Sequence, residues 1–344
     1  MNINDYGIVP NTQNLPGIPA RVTAVHKERY EIVCDHGITH GKLKGSAYYA
    51  GDETYPTVGD FVMIDYVENG DSRITATLHR RSFFSRREPG SVPQDQAVAA
   101  NFDYVFIMQS LNMDFNPRRL ERYLTLAWHS GATPVILLTK ADLVEDYWDY
   151  LTAAERVAAG VNIHPVSAHT GYGLERLNAY LQPGNTVVFL GSSGVGKSSL
   201  VNALAGEEIM TVNGIREDDS KGRHTTTHRQ LIRLQSGVMI IDTPGMRELG
   251  MWDVSEGIGD AFSDVEALFG RCRFTDCRHD CEPGCAIHLA IESGELDLER
   301  WVSYQKLRNE AILSMYPHLQ MVRKREWSKH LAKLSKQRKK EKWQ

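Results

Sequence analysis

The sequence lacks the features that mark membrane and secreted proteins. None of its 344 residues belongs to an apolar run of eighteen, so we expect no transmembrane helix. The N-terminus has no basic start followed by an apolar stretch, which argues against a secretory signal. Internal repeats are absent, and compositional bias is confined to a basic tail. We therefore expect a cytoplasmic, globular protein of two or three domains with no membrane contact.

Cysteine is scarce and unevenly placed. Of five cysteines, Cys34 is isolated, and the others fall within fourteen residues: Cys272, Cys277, Cys281 and Cys285. In a chain without a signal peptide, such a cluster indicates a metal site before it indicates disulfides. His279 completes a C-x4-C-x-H-x5-C spacing, whose three thiolates and one imidazole are typical of a structural zinc site. Cys281 is a fifth candidate ligand.

The charges are unevenly distributed along the chain. The segment from Arg323 to Lys342 contains ten Lys/Arg and two Asp/Glu, so its net charge is +8. Because the whole chain has a net charge of −4, the remaining residues carry −12. A basic tail on an acidic body favours a polyanionic partner, above all RNA. Phosphates would pair with the Lys/Arg side chains, and exposed bases would stack on Trp327 and Trp343. The alternative is a solvated helix end.

Residues 18 to about 78 contain short apolar runs separated by turns rich in Gly, Asp and Asn. The runs are Ala20–Val25, Tyr30–Cys34, Gly59–Val67 and Arg73–Leu78. No helical pattern interrupts them, so we predict a small β-barrel of the oligonucleotide/oligosaccharide-binding (OB) type. A basic, Pro-containing connector over residues 79–97 predicts a domain boundary, and we assign residues 1–90 to the barrel and connector.

Residues 91–252 alternate apolar runs with amphipathic segments. Predicted strands are Tyr104–Met108, Thr133–Leu138, Thr186–Leu190 and Val238–Ile241, and predicted helices are Arg118–His129, Asp149–Ala159 and Ser198–Ala205. This alternation predicts a mostly parallel sheet covered by helices. The β-runs then stop, and residues 253–344 predict a helical domain. Its helices are Ala286–Ser293, Leu298–Met315 and Leu319–Lys342.

A phosphate-binding loop follows the strand Thr186–Leu190. Residues 191–198 match G-x-x-x-x-G-K-[ST] between an apolar strand and a helix. Glycines let backbone N–H groups converge on phosphate oxygens, and the helix N-terminus adds a favourable dipole. Lys197 should bridge the β- and γ-phosphates, and Ser198 should bind Mg²⁺. The predicted contacts are Gly191, Ser192, Ser193, Gly194, Val195, Gly196, Lys197, Ser198 and Ser199.

Two further segments suit the γ-phosphate and its metal ion. Asp242, 45 residues after Lys197, ends an apolar strand and can hold the Mg²⁺ shell, while the Gly245 N–H can contact the γ-phosphate. Thr225–Thr227 lie between these motifs in a Gly- and Asp-rich stretch. That stretch suits a mobile switch, with Thr226 as the candidate hydroxyl for Mg²⁺. In isolation the threonine run is more typical of an ordinary strand.

A guanine-reading motif precedes the phosphate loop. Thr139-Lys140-Ala141-Asp142 resembles [N/T]-K-x-D, in which the Asp142 carboxylate can accept hydrogen bonds from guanine N1–H and N2–H, donors that adenine lacks. The Lys140 stem can cover the base, and Ser167-Ala168 would place a backbone N–H near guanine O6. Ordinary GTPases carry these motifs after the phosphate loop, so this order indicates a circular permutation.

Together these motifs resemble the circularly permuted ribosome-biogenesis GTPases of the RsgA (YjeQ/YloQ) type over nearly the whole chain. The resemblance is carried by a barrel ahead of the GTPase, the permuted order, GSSGVGKSS, GRHTTTH, DTPGMRE and the cysteine cluster. It implies an OB-type barrel, a central α/β P-loop GTPase and a zinc-binding helical domain. It further implies GTP hydrolysis to GDP with Mg²⁺, and binding to the small (30S) ribosomal subunit and its 16S rRNA late in maturation. We expect a monomer.

The resemblance also assigns residue roles. It selects the ligands of one structural Zn²⁺ and leaves Cys281 a bystander: Cys272, Cys277, His279 and Cys285. Met246 stands where a Ras-like enzyme has a water-orienting Gln, and the resemblance points instead to His224 as the group that positions water or takes a proton. The alternative is that His224 is a solvent-facing loop residue. Thr139 replaces the usual Asn, which braces the phosphate loop, so we expect weaker guanine affinity.

Two rival functions stay open. One is a nucleotide-sensing rRNA-binding protein in which hydrolysis is incidental. GTP turnover measured with and without small subunits would distinguish this function from that of a GTPase that acts on the subunit. The other is an ATPase, which a nucleotide competition assay would exclude.

Overall fold

The computed structural model of the protein describes residues 2–7, 10–12, 15–26, 29–43, 55–87, 95–112, 115–210, 229–242, 255–280 and 282–315. The chain divides into two compact units, residues 1–250 and 251–344. The first contains a barrel and a P-loop α/β fold, and the second contains the cysteine cluster. The predicted fold class is therefore confirmed. The finer division into residues 1–90, 91–252 and 253–344 stays a prediction.

Five short strands form the barrel. They are β1 (Ile18–His26), β2 (Arg29–Cys34), β3 (Gly37–Leu43), β4 (Phe61–Asp65) and β5 (Asp71–Thr77). They pair in the order β1-β2-β3-β5-β4, and β4 pairs again with β1, which closes the barrel. The core is apolar and consists of Ala20, Val22, Tyr30, Ile32, Cys34, Val62, Ile64 and Ile74. The sequence does not predict β3, because its residues, GITHGKL, include few large apolar side chains.

The prediction of a connector over residues 79–97 is wrong in one respect, because a β-hairpin lies there. β6 (Phe83–Arg87) pairs with β7 (Asp95–Ala100) in an antiparallel ladder. Phe84 is buried and stacks on Phe102, with ring centroids 4.8 Å apart. The sequence does not reveal this hairpin, because its strands are only five and six residues long and each includes polar or charged residues, among them the conspicuous Arg86 and Arg87.

The α/β region contains the expected mostly parallel sheet. Its strands are β8 (Tyr104–Ser110), β9 (Thr133–Thr139), β10 (Asn162–Pro165), β11 (Thr186–Gly191), β12 (Gln230–Arg233) and β13 (Met239–Asp242), and its helices are α1 (Pro117–His129), α2 (Trp148–Val157) and α3 (Lys197–Ala205). The order is β10-β9-β8-β11-β13-β12, with β12 antiparallel to β13. The carboxyl ends of β8, β9, β11 and β13 meet at one edge, which is where ligands bind in such sheets.

A buried arginine joins the barrel to this sheet, and β1 also pairs with β12. The Arg21 guanidinium donates to Gly59 O at 3.2 Å, to Asn101 O at 2.8 Å and to Thr186 Oγ1 at 3.0 Å. It also donates to the Tyr6 carbonyl. Burial lowers the pKa of Arg21 to about 9. Hydrogen bonds to carbonyl oxygens offset the cost of enclosing this charge.

The second unit is helical in its described part. Its helices are α4 (Ser255–Ala261), α5 (Ser263–Glu266), α6 (Ala286–Ser293) and α7 (Leu298–Met315). Arg300 is buried, forms a bidentate pair with Asp264 at 2.8 and 2.9 Å, and lies over the Phe262 ring. The predicted helix Leu319–Lys342 lies outside the described residues. Among the helices described, none has the length and apolar character that a membrane span needs.

Candidate nucleotide site and metal centre

The phosphate loop connects the end of β11 to the start of α3. Gly194 and Gly196 adopt left-handed backbone conformations, with φ of 72° and 101°, that a side chain would strain. A Cβ atom on Gly191 would lie 3.0 Å from the Met108 carbonyl oxygen of the neighbouring strand β8. Glycine is therefore favoured at residues 194 and 196 by the backbone conformation, and a side chain at residue 191 would force the neighbouring strand to shift. The first turn of α3, with Ser198 and Ser199, opens directly after the loop.

The lysine of the loop meets the aspartate at the end of β13. Because β11 and β13 are adjacent parallel strands, Lys197 and Asp242 emerge at the same edge of the sheet. The Lys197 Nζ atom donates to Asp242 Oδ1. Asp242 is buried and Lys197 is half-buried, so both charges are largely withdrawn from water. Two predicted residues from separate motifs therefore share one site.

The guanine motif contacts the phosphate loop in spite of its earlier place in the chain. Thr139, the last residue of β9, donates its hydroxyl to the Val195 carbonyl oxygen at 2.6 Å. This side chain thus braces the phosphate loop, as the Asn that it replaces is expected to do. Lys140 adopts a left-handed conformation with φ of 60°. The next residue's N–H then donates to Val166 O at 3.1 Å, which fixes the turn that follows.

A buried serine orients the exposed carboxylate of the base motif. Ser167 Oγ donates to Asp142 Oδ1 at 2.5 Å, and the Ser167 N–H donates to Tyr172 O at 2.9 Å. The hydroxyl also accepts from the N–H groups of His169 and Thr170, at 3.2 and 3.1 Å. Ser167 is completely buried, whereas Asp142 is exposed. These contacts orient the Asp142 carboxylate, which is otherwise exposed.

Several predicted residues cannot be placed in this site. His224, Thr226 and Gly245 lie outside the described residues, as do Met246 and the basic tail. Their roles stay predictions. The predicted residues that the structure does bring to the carboxyl edge of the sheet are Thr139, Lys140, Asp142, Ser167, Ala168, Gly191, Ser192, Ser193, Gly194, Val195, Gly196, Lys197, Ser198, Ser199 and Asp242.

Sequence reasoning missed Gln109, which lies near the end of β8. Its carbonyl oxygen lies 3.4 Å from Thr139 Oγ1 as a second, weaker acceptor for the hydroxyl that donates to Val195 O, and its side-chain Oε1 accepts from the Asn116 N–H at 3.4 Å. Gln109 therefore joins the base-motif strand to the N-cap of α1. The signal that could have found it is positional: a polar residue near the carboxyl end of a strand candidate in a parallel sheet.

The second unit contains a compact group of sulfur and nitrogen atoms. The ligand atoms of Cys272, Cys277, His279 and Cys285 all lie within 4.8 Å of one another. The three Sγ atoms are 3.5, 3.6 and 3.5 Å from His279 Nδ1. Tetrahedral coordination with the usual Zn–S and Zn–N bond lengths gives an S···N separation of about 3.5 Å. The donor set and its spacing therefore fit a metal ion held by four ligands.

The surroundings of the cluster support metal binding. His279 has φ of 62°, and its ring stacks on Phe269 at 4.8 Å, which sets the direction of the imidazole. Desolvation, together with hydrogen bonds that the Cys277 thiol makes to the sulfur atoms of Cys272 and Cys285, raises the pKa of Cys277 to about 12. Burial lowers the pKa of His279, which favours the neutral, ligating imidazole. Binding of a metal ion by these thiols would therefore release protons. Cys281 lies outside the described residues.

Comparisons with protein families agree with this geometry. A family model described as RsgA GTPase matches residues 77–252, just over half of the chain. A model described as ABC transporter matches residues 174–336, less than half of the chain. Both matches contain the phosphate loop, a motif that many nucleotide-binding families share.

Similar proteins extend the comparison beyond the phosphate loop. Small ribosomal subunit biogenesis GTPase RsgA 1 of Listeria monocytogenes is 49% identical, over 84% of this chain and 82% of that protein. RsgA 2 of Lactiplantibacillus plantarum is 45% identical over 90% and 89%. The crystal structure of YjeQ from Thermotoga maritima has a TM-score of 0.65 and 28% identity, covering 86% of this chain and 98% of that one. YloQ, a circularly permuted GTPase, has the same fold, with a TM-score of 0.60 over 88% and 97%.

In this chain the base-motif strand also precedes the phosphate-loop strand, and the two motifs nevertheless meet in space. With identity near one half over most of its length, the chain belongs to the RsgA family of circularly permuted GTPases.

Proposed function

We propose that this protein hydrolyses GTP to GDP while bound to the small ribosomal subunit, assists the late maturation of that subunit, and leaves it after hydrolysis. Its curated relatives are named small ribosomal subunit biogenesis GTPases, which supports the partner. The hydrogen bond from Thr139 to Val195 carries the nucleotide part of the proposal. It joins the base-reading motif to the phosphate loop although the chain presents them in permuted order.

The described residues have distinct roles in nucleotide binding. Asp142, oriented by Ser167, accepts from guanine N1–H and N2–H, and the Lys140 stem covers the base. Lys197 exchanges its contact with Asp242 for the β- and γ-phosphate oxygens. That exchange leaves the Asp242 carboxylate and the Ser198 hydroxyl to hold Mg²⁺, which neutralises charge that develops on the phosphates.

Hydrolysis and switching rest on residues outside the described part of the chain. His224 positions the attacking water or takes its proton, in place of the glutamine of Ras-like enzymes. The N–H of Gly245 and the hydroxyl of Thr226 recognise the γ-phosphate and its metal ion. Loss of the γ-phosphate would release this switch, which precedes the second unit in the chain. The ribosome contact would weaken with it.

The remaining parts of the proposal concern partners and the second unit. Zn²⁺ is the ion that the Cys272, Cys277, His279 and Cys285 donors suit, as a structural cross-link with no open position. The barrel and the basic tail contact 16S rRNA through phosphate pairing and base stacking. The protein acts as a monomer in the cytoplasm.

The test is GTP hydrolysis measured with purified 30S, 50S and 70S particles. We expect the 30S particle to stimulate turnover, because the proposed switch closes on that partner. Stimulation by the 50S particle alone would refute the proposed partner. Turnover that no particle changes would favour the alternative, a nucleotide-sensing rRNA-binding protein with incidental hydrolysis. In a nucleotide competition assay, ATP should compete less well than GTP. Equal competition by the two nucleotides would refute base reading by Asp142.

A further inference from the structure

A patch of exposed aromatic rings lies beside the base motif. Trp148 is 64% exposed and Tyr172 is 43% exposed, and Tyr147 lies between them. The ring centroid of Tyr147 is 6.1 Å from that of Trp148 and 6.5 Å from that of Tyr172. The two tyrosine hydroxyls are hydrogen-bonded at 2.7 Å. Exposed rings that are held together in this way are typical of binding surfaces and unusual on inert ones.

Acidic residues flank these rings along the chain. Glu145 and Asp146 precede Tyr147 and Trp148, Asp149 follows them, and all three acidic residues are exposed. Asp146 Oδ1 also accepts from the Trp148 N–H at 2.9 Å, which keeps the start of α2 in position. We call the three rings and three carboxylates the aromatic–acidic patch.

The neighbouring cation does not neutralise the patch. Arg176 acts electrostatically on Tyr147, but its guanidinium is 3.8 Å from Glu175, whose charge compensates it. The hydrogen bond with Tyr172 raises the pKa of Tyr147. The patch therefore presents exposed aromatic rings flanked along the chain by three exposed carboxylates.

We propose that the aromatic–acidic patch is a docking site for an arginine-rich segment of a partner protein. A guanidinium is attracted to the face of an aromatic ring, and carboxylates around the rings add ion pairs. Arginine suits the site better than lysine because its planar group can stack and donate in a fork at once. RNA is disfavoured here, because three carboxylates would repel the phosphate backbone.

Occupation of the patch should also change nucleotide affinity, and this second part rests on the proposed function. Two hydrogen bonds connect the patch to the base-reading carboxylate: the Ser167 N–H donates to Tyr172 O at 2.9 Å, and Ser167 Oγ donates to Asp142 at 2.5 Å. A partner that shifts the Tyr172 loop shifts Asp142 with it. By linkage, the segment and the nucleotide must change each other's affinity by the same factor.

The binding experiment uses the full-length protein and a fluorescent oligo-arginine peptide, with affinity measured by anisotropy. Trp148→Ala should weaken binding about three- to thirtyfold, and Trp148→Phe should restore most of it because a ring returns. Glu145→Lys should weaken binding in a salt-dependent way. The matched control is Glu68→Lys, an equally exposed charge reversal in the turn after β4, which should bind like the wild type.

Three outcomes would overturn docking at this patch. One is wild-type oligo-arginine affinity in both Trp148→Ala and Glu145→Lys. Another is an equal loss in the Glu68→Lys control, which would mean that binding follows the overall charge. The third is a Trp148→Ala variant that loses affinity for oligouridylate and keeps it for oligo-arginine, which would make the patch an RNA surface.

The linkage experiment follows dissociation of a fluorescent GDP analogue with and without oligo-arginine. We expect the peptide to change the rate in the wild type and not in Trp148→Ala. If the peptide binds the patch and the rate stays constant, the linkage is wrong. If the GDP analogue does not bind at all, the proposed function fails, while the peptide titration still decides the docking site.

Discussion

The nucleotide site and the cysteine cluster are both built from short motifs, but the chain assembles them differently. The four donors of the cluster come from fourteen consecutive residues, and local turns bring them together. The nucleotide site draws on the ends of β9, β11 and β13, from Thr139 to Asp242, and the order of the sheet brings them together. This difference predicts how far the effect of a single substitution should extend in each site. Loss of one side chain in the nucleotide site should abolish GTP binding or hydrolysis and leave the first unit folded. Loss of one metal ligand should unfold the second unit.

The largest effect is expected from Lys197→Ala, which tests the nucleotide side of this comparison. Removing the ammonium group should abolish measurable GTP binding and hydrolysis, because Lys197 is the one cationic side chain of the motif and bridges the β- and γ-phosphates. Circular dichroism should show an unchanged fold. Normal turnover in this variant would mean that the loop at residues 191–198 does not bind the phosphates.

Cys277→Ser tests the other side of the comparison. Elemental analysis of the wild type should find one zinc per chain, and the variant should lose it. Limited proteolysis should then digest residues 251–344 while the first unit stays intact. GTP binding should remain near normal. The matched variant Cys281→Ser should keep the metal. If Cys281→Ser loses the metal and Cys277→Ser keeps it, the ligand is Cys281 and not Cys277.

His224→Ala separates chemistry from binding within the nucleotide site. GTP affinity should be retained, while turnover on small subunits should fall about a hundredfold or more, because a group that positions water or takes its proton is lost. The protein should then stay bound to its partner. Wild-type turnover in this variant would remove His224 from the mechanism.

Asp142→Asn tests base reading. The amide offers a donor to xanthine O2 and loses a carboxylate acceptor for guanine, so preference should shift from GTP to xanthosine triphosphate by about tenfold or more. Competition binding with the two nucleotides measures the shift. An unchanged preference for GTP would refute the assignment.

The smallest effect is expected from Thr139→Ala, which removes the hydrogen bond between the two motifs. One neutral hydrogen bond contributes about 1 kcal/mol, so GTP affinity should fall about fivefold with the fold unchanged. Thr139→Ser keeps the hydroxyl and should bind GTP like the wild type. Equal affinities in all three proteins would mean that the Thr139–Val195 contact does not organise the site.

Much of the fold follows from local pattern. Apolar runs predicted most strands of the barrel and of the parallel sheet, and helices α6 and α7 were predicted with the observed bounds. The hairpin of β6 and β7 and the strand β12 were missed, because these strands are only four to six residues long and carry polar or charged residues beside their apolar ones. In the candidate site, the roles of His224, Thr226 and Gly245 stay predictions.

By itself, the sequence determined which chemistry is present. Glycine suits positions 194 and 196 because it tolerates their backbone angles without strain. The spacing of the cysteines and His279 suits one tetrahedral ion. Both constraints act between residues that are close together in the sequence. Only the tertiary structure decided that Thr139 reaches Val195, that Lys197 pairs with Asp242, and that the charge of Arg21 is enclosed between barrel and sheet. The physical reason is that these contacts depend on which strands lie side by side. The order of the strands is set by the packing of the whole first unit, so it cannot be deduced from any short segment of the sequence.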